Sequence, residues 1–148
     1  MKLAFLLWLS SVLPQPIADP LCLTTTIYLE SRNQSVLGQR AVAEVAMRRL
    51  NDGNWGRNVC EVVTAPKQFA PTLIKPDFAL DNLKAWNRAA AIAWEVVLEA
   101  NKPQQDRREV VPGADHFLVS TLENPPLWAQ GEPLARIGDH SFYKVKRL

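Results

Sequence analysis

One carboxyl group in this chain stands where acid chemistry is favoured. Glu30 follows Ile27, Tyr28 and Leu29 near the end of residues 23–31, a stretch whose pattern predicts a short helix. Apolar surroundings penalise the charged form of a carboxyl and raise its pKa. An acid that keeps its proton near neutral pH is what cleavage of a glycosidic bond requires. No competing catalytic set accompanies it: the chain has no G-x-S-x-G elbow, no H-E-x-x-H and no glycine-rich phosphate loop.

Other residues are candidates for the same site. His116 and His140 each follow an aspartate and precede a strand containing phenylalanine. If those strands pair, both histidines reach one groove; structural hydrogen bonding at strand starts and a metal pair are the other readings. Tyr28, Phe69, Trp128 and Tyr143 are candidates to stack on the apolar faces of sugars, each with a place in the core as the alternative. Gln68, in a proline-flanked loop, is a candidate polar contact. No C-x-x-C pattern is present, so no metal site and no cofactor are expected.

Positioning these residues needs helices first and strands later. Residues 33–35 (NQS) form a turn, and Ser35 suits the cap of a helix running to about Leu50. Leu37, Ala41, Val42, Val45, Ala46 and Leu50 make its core stripe, while Arg40, Glu44 and Arg48 fall on a side expected to be solvated. Asparagine, aspartate and glycine at 51–54 end it. A short helix over 59–65 stops at Pro66, and 67–78 is a loop. Asp81 suits the cap of a helix to about Ala100, with Leu83, Trp86, Ala90, Ala93, Trp94, Val97 and Leu98 as its apolar face. Residues 116–120 and 141–145 read as an antiparallel strand pair. The class is α+β, mainly helical, with a small antiparallel sheet near the C-terminus.

The whole fits one domain of 148 residues with a real core. A formal net charge of +2 lacks the dense basic face of a nucleic-acid binder. Residues 3–13, LAFLLWLSSVL, are an uncharged apolar run too short to span a bilayer. The run suits a secretory signal peptide over 1–18, ending at Ala18; a buried first helix and an uncleaved anchor are the alternatives. Export leaves 19–148 as the mature domain and allows Cys22 and Cys60 to form a disulfide. Such a bridge stabilises by roughly 3–4 kcal/mol in the chain-entropy model.

Seven stretches occur in a telling order: Tyr28-Leu29-Glu30-Ser31-Arg32, Gly38-Gln39-Arg40-Ala41-Val42-Ala43, Val59-Cys60-Glu61-Val62-Val63, Gln68-Phe69, Gly113-Ala114-Asp115-His116-Phe117, Pro126-Leu127-Trp128 and Ile137-Gly138-Asp139-His140-Ser141-Phe142-Tyr143. Together they resemble the spore-cortex-lytic cell-wall hydrolases. The resemblance covers residues 23–144 and implies a lysozyme-like domain of the lytic-transglycosylase type. It places that family's catalytic acid at Glu30. The sequence departs where the family has a second glutamate, here Gln34, and where it has an asparagine, here Arg48. The function implied is a peptidoglycan-degrading enzyme that cleaves between N-acetylmuramic acid and N-acetylglucosamine as a lytic transglycosylase. It would be a monomer acting outside the cytoplasm, with membrane contact only through its leader. The alternatives are a hydrolytic muramidase using Asp115 or Asp139 as second carboxylate, an inactive wall-binding protein, and an accessory protein without a sugar groove.

Overall fold

Prolines and polar turns cut the helical part into five pieces, and the computed structural model describes them within residues 1–145. α1 (Leu3–Val12) stops before Pro14, and α2 (Gln15–Ser31) carries Pro16 in its first turn, where a backbone N–H is not needed. The helix bearing Glu30 therefore starts well before residue 23. Pro20 lies within it, at the loss of one backbone bond. Thr24, Thr25 and Thr26 lie in mid-helix and are buried. The hydroxyls of Thr24, Thr25 and Thr26 donate to the carbonyls of Pro20, Leu21 and Cys22 at 2.7, 2.8 and 2.9 Å. That pattern satisfies three polar side chains without taking any backbone donor.

α3 (Val36–Asp52) is capped as expected: Ser35 Oγ accepts from the Gly38 N–H at 3.1 Å. Gly53, with φ of 82°, closes its other end, a conformation glycine adopts without steric cost. Ala41, Val42, Val45 and Ala46 are buried, but Leu37, in the first turn, is exposed. The supposedly solvated side of α3 is packed: Glu44 is buried and Arg40 pairs with Glu95 of α5 at 2.6 Å.

α4 (Val59–Thr64) begins with a reciprocal cap. Asn58 accepts from the Glu61 N–H at 2.8 Å, and Glu61 accepts from the Arg57 N–H at 2.7 Å. The disulfide Cys22–Cys60, Cα–Cα 5.3 Å, joins α2 to α4. A 3-10 turn, Ala70–Thr72, interrupts the following loop. Asn82, not Asp81, caps α5 (Leu83–Ala100), accepting from the Ala85 N–H at 3.0 Å. The buried face of α5 is Ala89, Ile92, Ala93 and Val96, whereas Leu83, Trp94 and Leu98 point outward. Small alanines let α2 approach α5 closely, so the larger apolar residues were a poor guide to the packed face.

The sheet has three strands, β1 (His116–Val119), β2 (Ala135–Ile137) and β3 (His140–Tyr143), with β3 central and both pairings antiparallel. β2 was not expected; at three residues around Arg136 it is too short to show alternation. It returns into β3 through Gly138, whose φ is 55°. The architecture is α+β and mainly helical, as the sequence implies.

The N-terminal run takes part in the fold. Leu3 and Leu6 are buried in the main core, the Leu3 N–H donates to Phe78 O at 2.9 Å and the Leu80 N–H donates to Met1 O at 2.7 Å. Phe5, Trp8 and Val12 form its outer side, and Ala18 is buried within α2. Among the described residues no helix is long and apolar enough to cross a membrane.

Candidate active site

Glu30 occupies the last turn of α2, facing the loop that follows α4. Its Oε1 accepts from the Ala70 N–H at 2.6 Å. That donor is supplied by the 3-10 turn, which Phe69 anchors by burying its ring completely. Burial raises the Glu30 pKa above the ordinary carboxyl value; the Ala70 N–H and the charge of Arg49 pull the other way without prevailing.

Arg49, on α3, is the positive charge nearest in effect to Glu30, and it is itself only 5% exposed. Its Nε donates to Asp115 O at 2.8 Å and an Nη donates to Gln68 Oε1 at 3.3 Å. The guanidinium lies over Trp55 at 4.1 Å and over Phe69 at 4.9 Å, a desolvated cation between two aromatic faces. Contacts continue from Trp55 to His116 (5.7 Å between ring centres), from His116 to Trp128 (4.8 Å) and from Trp128 to Tyr143 (5.5 Å).

Glu30, Gln68, Phe69, His116, Trp128 and Tyr143 thus belong to one connected region built around Arg49. Their roles within it differ. Gln68 is exposed, and His116 and Trp128 are half-buried. Phe69 is a floor, and Tyr143 is buried with its hydroxyl donating to Ala129 O at 3.2 Å. Tyr28 is placed elsewhere: its ring packs 6.1 Å from Trp86, and its hydroxyl accepts from the Asn82 N–H at 3.1 Å. It fastens α2 to the start of α5.

Strand register separates the two histidines. His116 stands opposite Tyr143 and His140 opposite Val119, so they fall on opposite faces of the sheet. The expectation of one shared groove is corrected by that register. His116 pairs with Asp115 at 2.8 Å. His140 is buried beside Phe117 and Phe142, and burial lowers its pKa against the opposing charge of Asp139, which keeps the ring neutral.

Arg49, Trp55 and the Ala70 N–H were not singled out from the sequence. Adjacent Arg48 and Arg49 look alike on paper, and only helix phase distinguishes them. A backbone donor leaves no residue-type signal. Among the described residues no cluster of histidine, cysteine, aspartate and glutamate is placed to hold a metal ion. A cavity of about 150 Å³ lies between α3, α5 and residues 104–113; it is lined by Glu44 and Arg48 and not by Glu30.

Comparison with protein families gives one match: a model described as cell wall hydrolase covers residues 33–143, most of the chain. The match takes in Arg49, Gln68, Phe69, His116, Trp128, His140 and Tyr143, and begins three residues after Glu30. No curated protein and no solved structure matches the chain.

Proposed function

Because the chain belongs to the cell wall hydrolase family, we propose that it cleaves the β-1,4 bond between N-acetylmuramic acid and N-acetylglucosamine as a lytic transglycosylase. The observation that carries this reading is Glu30: a half-buried carboxyl whose pKa is raised by burial, with one oxygen held by the Ala70 N–H.

Protonated Glu30 gives its proton to the bridging oxygen as the C1–O bond of the muramic residue breaks through an oxocarbenium-like state. The carboxylate left behind is steadied by the Ala70 N–H and by Arg49. It then takes the proton of the muramic C6 hydroxyl while that oxygen bonds to C1. A 1,6-anhydro ring closes, Glu30 regains its proton and no water is consumed. Exposed Gln68 and the half-buried rings of His116 and Trp128 supply the polar and aromatic surface for the sugar chain.

Glutamine at position 34, where the resemblance expects a second glutamate, supports a one-acid route over hydrolysis. Of the other carboxylates, Asp115 Oδ1 pairs with His116 and accepts from the Val145 N–H at 2.9 Å, and Asp139 Oδ2 accepts from Gln34 at 2.8 Å.

Mass spectrometry of digested sacculi tests the reaction. Anhydromuropeptides that vanish in Glu30→Gln are expected. Reducing ends would mean a hydrolytic muramidase, and bound sacculi with no soluble fragments would mean an inactive binder. The Cys22–Cys60 bridge supports export, and the apolar N-terminal run fits a leader over residues 1–18. The intact mass of the exported protein shows whether those residues are removed or stay as α1.

A further inference from the structure

We propose that Gln34 is a positioning residue that clips the β2–β3 hairpin to the turn after Glu30 and so fixes the width of the sugar groove. Gln34 stands four residues beyond Glu30, in the turn between α2 and α3. Its side-chain amide makes two bonds to one residue of the hairpin. Nε2 donates to Asp139 Oδ2 at 2.8 Å, and Oε1 accepts from the Asp139 N–H at 3.0 Å.

Both partners are held from behind. The Gln34 carbonyl accepts from Nε2 of the buried Gln39 at 3.0 Å. The Asp139 carbonyl accepts from the Ser120 N–H, past the end of β1, at 2.8 Å. The fit is close: a Cβ on Gly138 would collide with Gln34 Oε1, and the φ of 55° at that position already excludes most side chains. The clip therefore spans from the segment that carries Glu30 to the hairpin that carries Tyr143, whose ring meets Trp128 of the site at 5.5 Å.

The chemistry requires a neutral amide. A group at position 34 must donate to a carboxylate and accept from a backbone N–H at once, which glutamine does and an ionised glutamate cannot. Glutamate would keep the N–H bond but face Asp139 as a like charge. Exchanging the roles restores the pattern: Gln34→Glu combined with Asp139→Asn again pairs one donor amide with one carboxylate and keeps the backbone bond. This inference rests on the reading of Glu30 as the acid, because it concerns the groove that acid serves.

The test compares wild type, Gln34→Glu and the double variant Gln34→Glu/Asp139→Asn at neutral pH. Two readouts are taken: hydrogen exchange of residues 135–143, and kinetics on soluble uncrosslinked glycan strands. Gln34→Glu is expected to speed exchange in the hairpin and to raise KM several-fold with kcat within about twofold, and the double variant to return both toward wild type. Hairpin exchange that matches wild type in Gln34→Glu overturns the clip. Faster exchange with unchanged KM, or a gain in activity, overturns the positioning role. A wild-type protein inactive on the strands overturns the transglycosylase reading and with it the positioning role, while the exchange readout still decides the clip.

Discussion

Two glutamates are buried on neighbouring helices, and their surroundings make them different residues. Glu30 on α2 and Glu44 on α3 both have pKa values raised by burial. Glu44 is wrapped: it accepts from the Val110 N–H at 2.8 Å and from the Val111 N–H at 3.2 Å, and Arg48 lies 3.7 Å away, shared with Glu109. Arg48 also donates to Ala114 O. Every part of the Glu44 carboxyl is used to pin the 109–114 segment to α3, just ahead of β1. Glu30 has a single backbone donor on one oxygen. Burial raises the pKa in both places, but backbone donors grip Glu44 at both oxygens and Glu30 at one.

Breaking each glutamate in turn separates acid from anchor. The largest effect is expected from Glu30→Gln, with wall lysis falling on the order of 10³-fold, the range for loss of a general acid. Its stability should move the other way. The wild-type carboxyl has a folded pKa above its unfolded value, so its favourable contribution is complete below about pH 4.5 and is lost as pH rises through the folded pKa. Glutamine has no charge to bury, so thermal melting should show the variant gaining on wild type as pH increases.

Removing the bridge that steadies the Glu30 helix comes next. Cys22→Ser/Cys60→Ser should lose roughly 3–4 kcal/mol in denaturant unfolding. Glu44→Gln should cost about 1–3 kcal/mol, because its NH₂ group would face backbone N–H donors. At a temperature where that variant stays folded, lysis should persist; its loss would erase the contrast between the two glutamates. The smallest and most specific change is at Arg49. Arg49→Lys weakens the stacking between Trp55 and Phe69 and the positive field at Glu30. The alkaline limb of the lysis profile should then move to higher pH.

The contrast also shows how far a sequence can be read. The raised pKa of Glu30 was legible because its neighbours Ile27 to Leu29 are apolar and local. Glu44 was read as solvated because its partners are backbone groups more than sixty residues away. The caps at Ser35 and Gly53 were legible, since cap chemistry is local. The packed face of α5 was legible in part: Ala93 is in the core and Trp86 and Val97 pack against it, but Ala89 was missed and Trp94 and Leu98 look outward. Pairing of residues 116–120 with a later strand was legible, but the register that parts His116 from His140 was not. A one-residue slip exchanges the two faces of a strand, and nothing in either short strand fixes that choice. The Gln34–Asp139 clip, 105 residues apart in sequence, left only an odd glutamine where a glutamate was expected.

The proposed catalysis turns on the proton of Glu30. Carbon-13 titration of its side-chain carboxyl in the folded protein, overlaid on the pH dependence of wall lysis, tests that claim most directly. The expected result is a midpoint above the ordinary carboxyl value of 4.5, with the alkaline limb of lysis following it. A midpoint at or below that value, or a limb that ignores it, would contradict the role of Glu30 as the acid.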